Sequence, residues 1–208
     1  MVLNHIVKIV IREKLYRTNN MKKIILASTS YHRRELLEKT GLVFEVVSSD
    51  YEEDMTLDLI PSELAKFLSK GKADRVAENF EDAIIISADT FVSIDGKILG
   101  KPHTEEKAKI TLNTLSGRTH SVFTGYTIID TKDKRVVSKA VETKVTFLPL
   151  TEEMIEEYIR VGNPLKFAGS YTLTDVSDKF IEKIEGDHNN IIGLPVDEVM
   201  KTLKEFDI

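Results

Sequence analysis

Short apolar runs alternate with helical periodicities from residue 24 to the end of the chain. Runs of strand length fall at 24–28, 44–48, 83–88, 91–94 and 97–99, with longer alternating ones at 119–129 and 135–147. Apolar residues at helical spacing fill 33–40, 61–79, 105–115, 152–161 and 195–206. The punctuation agrees: Pro61 and Pro195 stand at expected first helical positions, Gly41 and Gly162 follow helix ends, and Thr151 is an expected N-cap. Asp95-Gly96 marks a tight hairpin turn, and 130–134 joins a longer hairpin. Hairpins mixed with isolated strands and helices predict an α/β protein with a mixed sheet.

The first twenty residues fit this pattern less well. Their apolar positions are interrupted by Lys8 and followed by Arg12, so the run is too short to span a bilayer and lacks a signal-peptide cleavage site. Two readings stay open: translation starting at Met21, or an amphipathic extension over 1–20 ahead of one domain over 21–208. At 208 residues the chain can bury a substantial core. A charge of −5, without an interleaved basic and aromatic stripe, argues against a nucleic-acid binder. The absence of cysteine excludes disulfides and thiolate metal sites and fits a cytoplasmic location.

Four polar clusters interrupt the apolar pattern. In the first, the strand at 24–28 runs into Ser28, Thr29 and Ser30 and then into a helix bearing Arg33. Hydroxyls and free N–H groups at a helix N-terminus, with a guanidinium on the next turn, suit an anion. The plainer alternative is a capped helix with solvated arginines. The second is the acidic run Asp50, Glu52, Glu53 and Asp54, able to hold a hard divalent cation or simply to face solvent. In the third, Asp89 sits inside an apolar stretch where an unpaired charge would cost several kcal/mol. It therefore needs a metal, a lysine, a water or backbone amides as partner. Lys72 on the helix at 61–79 and Lys101 in Gly100-Lys101-Pro102 are cations suited to phosphate. The fourth, Ser116-Gly117-Arg118-Thr119-His120, reads most simply as a glycine-mediated helix stop with exposed polar residues, with Arg118 and His120 as candidates to face a site.

From Lys23 onward the chain resembles the Maf family of septum-formation-associated nucleotide pyrophosphatases. The matching landmarks include Leu26-Ala27-Ser28-Thr29-Ser30 with Arg33, Ala88-Asp89-Thr90-Phe91-Val92, Leu99-Gly100-Lys101-Pro102, Leu115–His120, Ala168-Gly169-Ser170-Tyr171 and Gly193-Leu194-Pro195. Their common order carries the resemblance more than any one of them. It implies an elongated mixed sheet flanked by helices, two lobes around a cleft, similar to the inosine-triphosphate pyrophosphatase fold. It also implies cleavage of a nucleoside triphosphate between the α- and β-phosphates, dependence on a divalent cation (Mg, Mn or Co), and a homodimer.

Carried over by position, Asp89, Lys101, Arg33 and Lys72 are the expected catalytic groups, with Asp89 as proton acceptor or metal ligand. Glu52, Glu53 and Asp89 are the expected metal ligands. Ser28, Ser30, His32, Thr90, Arg118 and Thr174 are the expected substrate contacts. Two motifs depart from the family at the base end. In the branch of the family that cleaves dTTP and UTP, Pro-Arg-Arg stands where this chain has Tyr31-His32-Arg33, and Gly-Ile-Gln stands at Thr172-Leu173-Thr174. Thr90 matches that branch, whereas the branch that cleaves 7-methyl-GTP has tryptophan at His32 and glutamine at Thr90. Lys166 stands one residue away from a family lysine, displaced by Phe167. The triphosphate end is intact and the base end altered. The resemblance admits a second reading, a nucleotide-binding regulator of cell division without turnover.

Overall fold

The computed structural model describes residues 22–173 and 177–208. Seven strands form one mixed sheet: β1 (Lys23–Leu26), β2 (Glu45–Val46), β3 (Ala83–Ile94), β4 (Lys97–Leu99), β5 (Thr119–Asp130), β6 (Val136–Phe147) and β7 (Ile181–Glu185). The order is β2-β1-β3-β5-β6-β7, with β4 folded back on β3. Only the β1 pairings with β2 and β3 are parallel. The helices are α1 (Tyr31–Glu38), α2 (Pro61–Ala77), α3 (Glu105–Leu115), α4 (Glu152–Val161), α5 (His188–Ile192) and α6 (Val196–Lys204). None of them is long and apolar enough to cross a membrane. The possible extension over 1–20 lies outside the described residues.

The two strands expected at 83–88 and 91–94 are one continuous strand. Asp89 and Thr90 keep the alternation of β3 and pair with Gly125 and Thr124 of β5, so the ladder runs through the polar positions. Two further elements escape the sequence pattern. β7 is a short, mostly exposed edge strand with little apolar alternation. The segment after Gly186, free of any strong apolar period, closes into α5, whose N-cap Asp187 accepts from Asn189 N at 2.7 Å. Pro195 serves as the N-cap of α6, one position earlier than expected. The Thr151 cap of α4 and the positive φ values of Asp95 and Gly96 in the β3–β4 turn agree with expectation.

Strand parity divides the core. One face of β3 presents Ile84, Ile86 and Ala88, which pack with Tyr126 and Ile128 of β5 and with Leu37 of α1 and Val199 and Leu203 of α6. Further along the same face, Val92 and Ile94 join Val122, Leu112 and Leu115 of α3, and Ile155 and Tyr158 of α4. Between these two clusters stand Thr90 and Thr124, so the apolar packing breaks at the polar pair. The opposite face is covered by α2, through Ala73 and Val76 against Ile85 and through Leu64 and Leu68 against Phe91.

A second break lies at the sheet edge. β1 pairs with β3 only as far as Leu26 opposite Ile86, and β4 covers β3 only from Val92, opposite Leu99, onward. Residues 87–91 of β3 therefore have β5 on one side and no strand on the other among the described residues. Side chains from both faces reach this opening, beside the chain that leaves β1 through Ser28. That is where the site forms.

Candidate functional site

Arg33 is set by three anchors. Its Nε donates to the Gly193 carbonyl at 2.8 Å, Nη1 to Ser28 Oγ at 3.3 Å, and Nη2 to Thr90 Oγ1 at 3.1 Å. The helix that carries it is capped by Ser30, whose Oγ accepts from Arg33 N. Ser28 Oγ also accepts from Ser30 N, which tightens the turn out of β1. Burial lowers the pKa of the guanidinium, while the charges of Asp89 and Glu53 favour its charged form.

On the other face, Lys72 of α2 reaches Asp89 in a short ion pair and Glu53 at 2.6 Å. Lys72 and Asp89 are both buried, so each supplies the partner that the other's desolvated charge requires. Of the acidic run, both Glu52 and Glu53 are exposed, and it is Glu53 that reaches Lys72. Tyr51 explains the placement: its ring lies over Gly71, where a Cβ would come within 2.3 Å of it, and this holds the acidic loop beside Lys72. Burial pushes the Glu53 carboxyl upward, but Lys72, Lys101 and Arg33 together hold it below its ordinary range. Lys70, the neighbouring helix lysine, instead pairs with Asp74 on the surface.

A cavity of about 720 Å³ opens from Arg33 and Thr90. Ser30 and Lys101 line the same end, and Gly169 N fixes the Lys101 loop by donating to the Gly100 carbonyl at 3.1 Å. Tyr31, His32, Leu165, Phe167 and Tyr171 add aromatic and apolar walls. His32 lies between Tyr31 and Phe167, with ring centroids 5.6 Å from each. Lys166 lines the cavity too. Thr174 lies outside the described residues.

The structure does not bring Arg118 to this cavity. Its guanidinium pairs with Asp95 at 2.5 Å beside the β3–β4 turn, at the far end of the long strands. Arg118→Ala is expected to leave turnover within about twofold, in keeping with the small worth of an exposed ion pair. A tenfold loss in a steady-state assay would place Arg118 back in the site.

His120 is also elsewhere. It is buried against Phe147 and Tyr171, and its Nε2 meets Tyr171 Oη at 2.7 Å. Burial pushes its pKa down to about 4, so the ring is neutral at pH 7. Below pH 6.5 the unfolded chain binds a proton here that the folded protein refuses until about pH 4. Stability is expected to fall across that window by about 3 kcal/mol from this residue alone. Urea titrations at pH 7 and pH 5 check it: His120→Gln is expected to flatten the difference, and an unchanged pH dependence in that variant would count against it.

Within the described residues no three His, Cys, Asp or Glu side chains gather into a metal cage. The donor set that does exist, Glu53 and Asp89 facing cationic groups suited to phosphate, is chemically right for a hard cation completed by substrate oxygens and water. Magnesium is commonly held by one or two carboxylates in this way.

The family model described as Maf-like protein matches residues 23–206. This chain belongs to that family. A Bacillus cereus protein named dTTP/UTP pyrophosphatase is 47% identical to this Maf-like protein over 189 residues, covering 91% of this chain and 92% of the relative. A Bacillus anthracis protein of the same name is 44% identical over 188 residues, covering 90% and 97%. Among solved structures, the Staphylococcus aureus Ham1 protein aligns with a TM-score of 0.42 and 13% identity, over 61% of this chain and 72% of that one.

Proposed function

We propose that this Maf-like protein hydrolyses nucleoside triphosphates to the monophosphate and pyrophosphate, with dTTP and UTP as leading candidates. One observation carries the reading: the charges of Arg33, Lys72 and Lys101 act together on Asp89 and Glu53 at the opening beside β3, next to a cavity that Arg33 and Lys101 line with His32, Phe167 and Tyr171. The relatives named dTTP/UTP pyrophosphatase support the choice of substrate.

In this arrangement the triphosphate lies along Ser30, Arg33 and Lys101, and the base reaches the wall made by His32 and Phe167. Water attacks the α-phosphorus, the bond from that phosphorus to the bridging oxygen breaks, and pyrophosphate departs with the bonding electrons. Asp89 accepts the proton of the attacking water. Lys72 holds Asp89 ionised and in place, while Arg33 and Lys101 meet the charge that grows on the leaving pyrophosphate. Glu53 and Asp89 would hold a divalent cation, which supplies Lewis-acid stabilisation of the phosphate oxygens when bound.

The test is pyrophosphate release from the canonical triphosphates and a panel of modified ones, each with Mg²⁺, Mn²⁺ or Co²⁺ and with chelator. Release from dTTP and UTP that stops on chelation is the expected result. Silence on every triphosphate would overturn the reading in favour of a nucleotide-binding regulator. Comparable rates on many bases would instead make this a broad-specificity enzyme.

A further inference from the structure

Arg33 does not hold its position alone: Thr90 and Gly193, which support it directly, line the cavity, whereas Thr124 and Asn190 behind them do not. A guanidinium can only donate and a carbonyl can only accept. Between the Arg33 guanidinium and the Asn190 carbonyl stand two hydroxyls: Arg33 Nη2 reaches Thr90 Oγ1 at 3.1 Å, Thr90 and Thr124 Oγ1 are 2.9 Å apart, and Thr124 donates to Asn190 O at 2.9 Å. Thr124 has one proton and gives it to Asn190. Thr90 must therefore donate to Thr124, which leaves its own oxygen free to accept from Arg33. The alternative acceptor for the Thr90 proton, the Gly193 carbonyl, is more distant at 3.3 Å.

The far end of the chain of bonds is fixed as firmly. The Asn190 amide donates to Val122 O and to Thr143 Oγ1, each at 3.0 Å, and Thr143 donates to Asp187 O at 2.9 Å. Thr124, Thr143 and Asn190 are completely buried. Three residues beyond Asn190, the Gly193 carbonyl takes the Nε of Arg33 directly. The segment around α5 thus sets two of the three guanidinium anchors, one by direct contact and one through Thr124 and Thr90.

From this we infer that Thr124 and Asn190 are positioning residues: they orient Thr90 as an acceptor and so aim Arg33 at the phosphates. The inference rests on the proposed triphosphate site, but it concerns Arg33 and is readable without turnover. The probe is inorganic pyrophosphate, with affinity measured by calorimetry on the full chain. Thr124→Val removes the relay at nearly constant volume and is expected to weaken binding about tenfold, the scale of one hydrogen bond to a charged group. Thr124→Ser keeps the hydroxyl and is expected to bind within twofold of wild type.

The deciding measurement is a double-mutant cycle. In an Arg33→Lys background, Thr124→Val is expected to cost less than twofold, because the lysine has no Nη2 to be aimed. If Thr124 only holds α5 on the sheet, the tenfold loss persists in that background, and the inference falls. It falls equally if Thr124→Val binds pyrophosphate as wild type does. Should that variant not fold, Thr124→Ala enters the same cycle and is read by the same criteria. Wild-type protein that binds pyrophosphate yet cleaves no triphosphate would defeat the functional reading and leave the relay standing.

Discussion

Asp89→Asn is expected to lower pyrophosphate release by about 10²–10⁴-fold, the usual contribution of a positioned general base. The substitution keeps the size of the side chain and leaves an oxygen for Lys72, but it removes the charge that can take a proton. Lys72 retains Glu53 as a second carboxylate partner at 2.6 Å, so its ammonium is not stranded in the interior. The fold is therefore expected to survive, with a wild-type-like circular dichroism spectrum and an unchanged denaturant slope. Rates near wild type in the variant would remove Asp89 from the chemistry. A variant that is inactive because it has unfolded would show that the Lys72–Asp89 pair serves stability first, and the spectrum separates the two outcomes.

Gly125→Ala is expected to disrupt the protein well away from any reacting atom. Gly125 lies directly opposite Asp89 in the β3–β5 register, on the face covered by α2. A Cβ there would sit 2.0 Å from the Ala65 carbonyl oxygen and 2.7 Å from Lys66 N. Both are backbone atoms of α2, so no side chain can swing aside. The helix would have to lift from the sheet, carrying Lys72 away from Asp89. Overpacking of this kind typically costs about 1–3 kcal/mol and more where backbone must move. The expected readout is a large drop in the urea midpoint, or loss of soluble protein, together with loss of pyrophosphate release. A variant with wild-type midpoint and activity would show that α2 has room to retreat.

How much of this was legible beforehand varies from residue to residue. The Ser28–Arg33 motif reads locally because hydroxyls, helix start and arginine follow one another along six residues of chain. Asp89 reads as needing a partner because it interrupts an apolar run, yet nothing local says whether that partner is a metal, a water or Lys72. Glu52 and Glu53 are indistinguishable in a row of acids, and the packing of Tyr51 over Gly71 selects Glu53. Arg118 and His120 stand outside the cavity, His120 directly behind its Tyr171 wall, because proximity to a glycine turn says nothing about which end of a twelve-residue strand faces the site. Gly193 was visible as a landmark, but its role as an acceptor was not, since a backbone carbonyl carries no mark in the sequence.

The sequence by itself determined the alternation that makes the long strands, the caps and turns that bound them, and which side chains share a face of β3. These are local matters, set by strand and helix periodicity and by the conformational limits of proline, serine and glycine. The tertiary structure alone decided that Arg33 meets a carbonyl 160 residues away and that Lys72 closes on Asp89 from the opposite face. Those meetings depend on where β1 stops and β4 starts along β3, and on how closely α2 can approach Gly125. Periodicity fixes the direction a side chain takes from its own backbone. Register and packing distance, which are sums over the whole core, fix what it finds there.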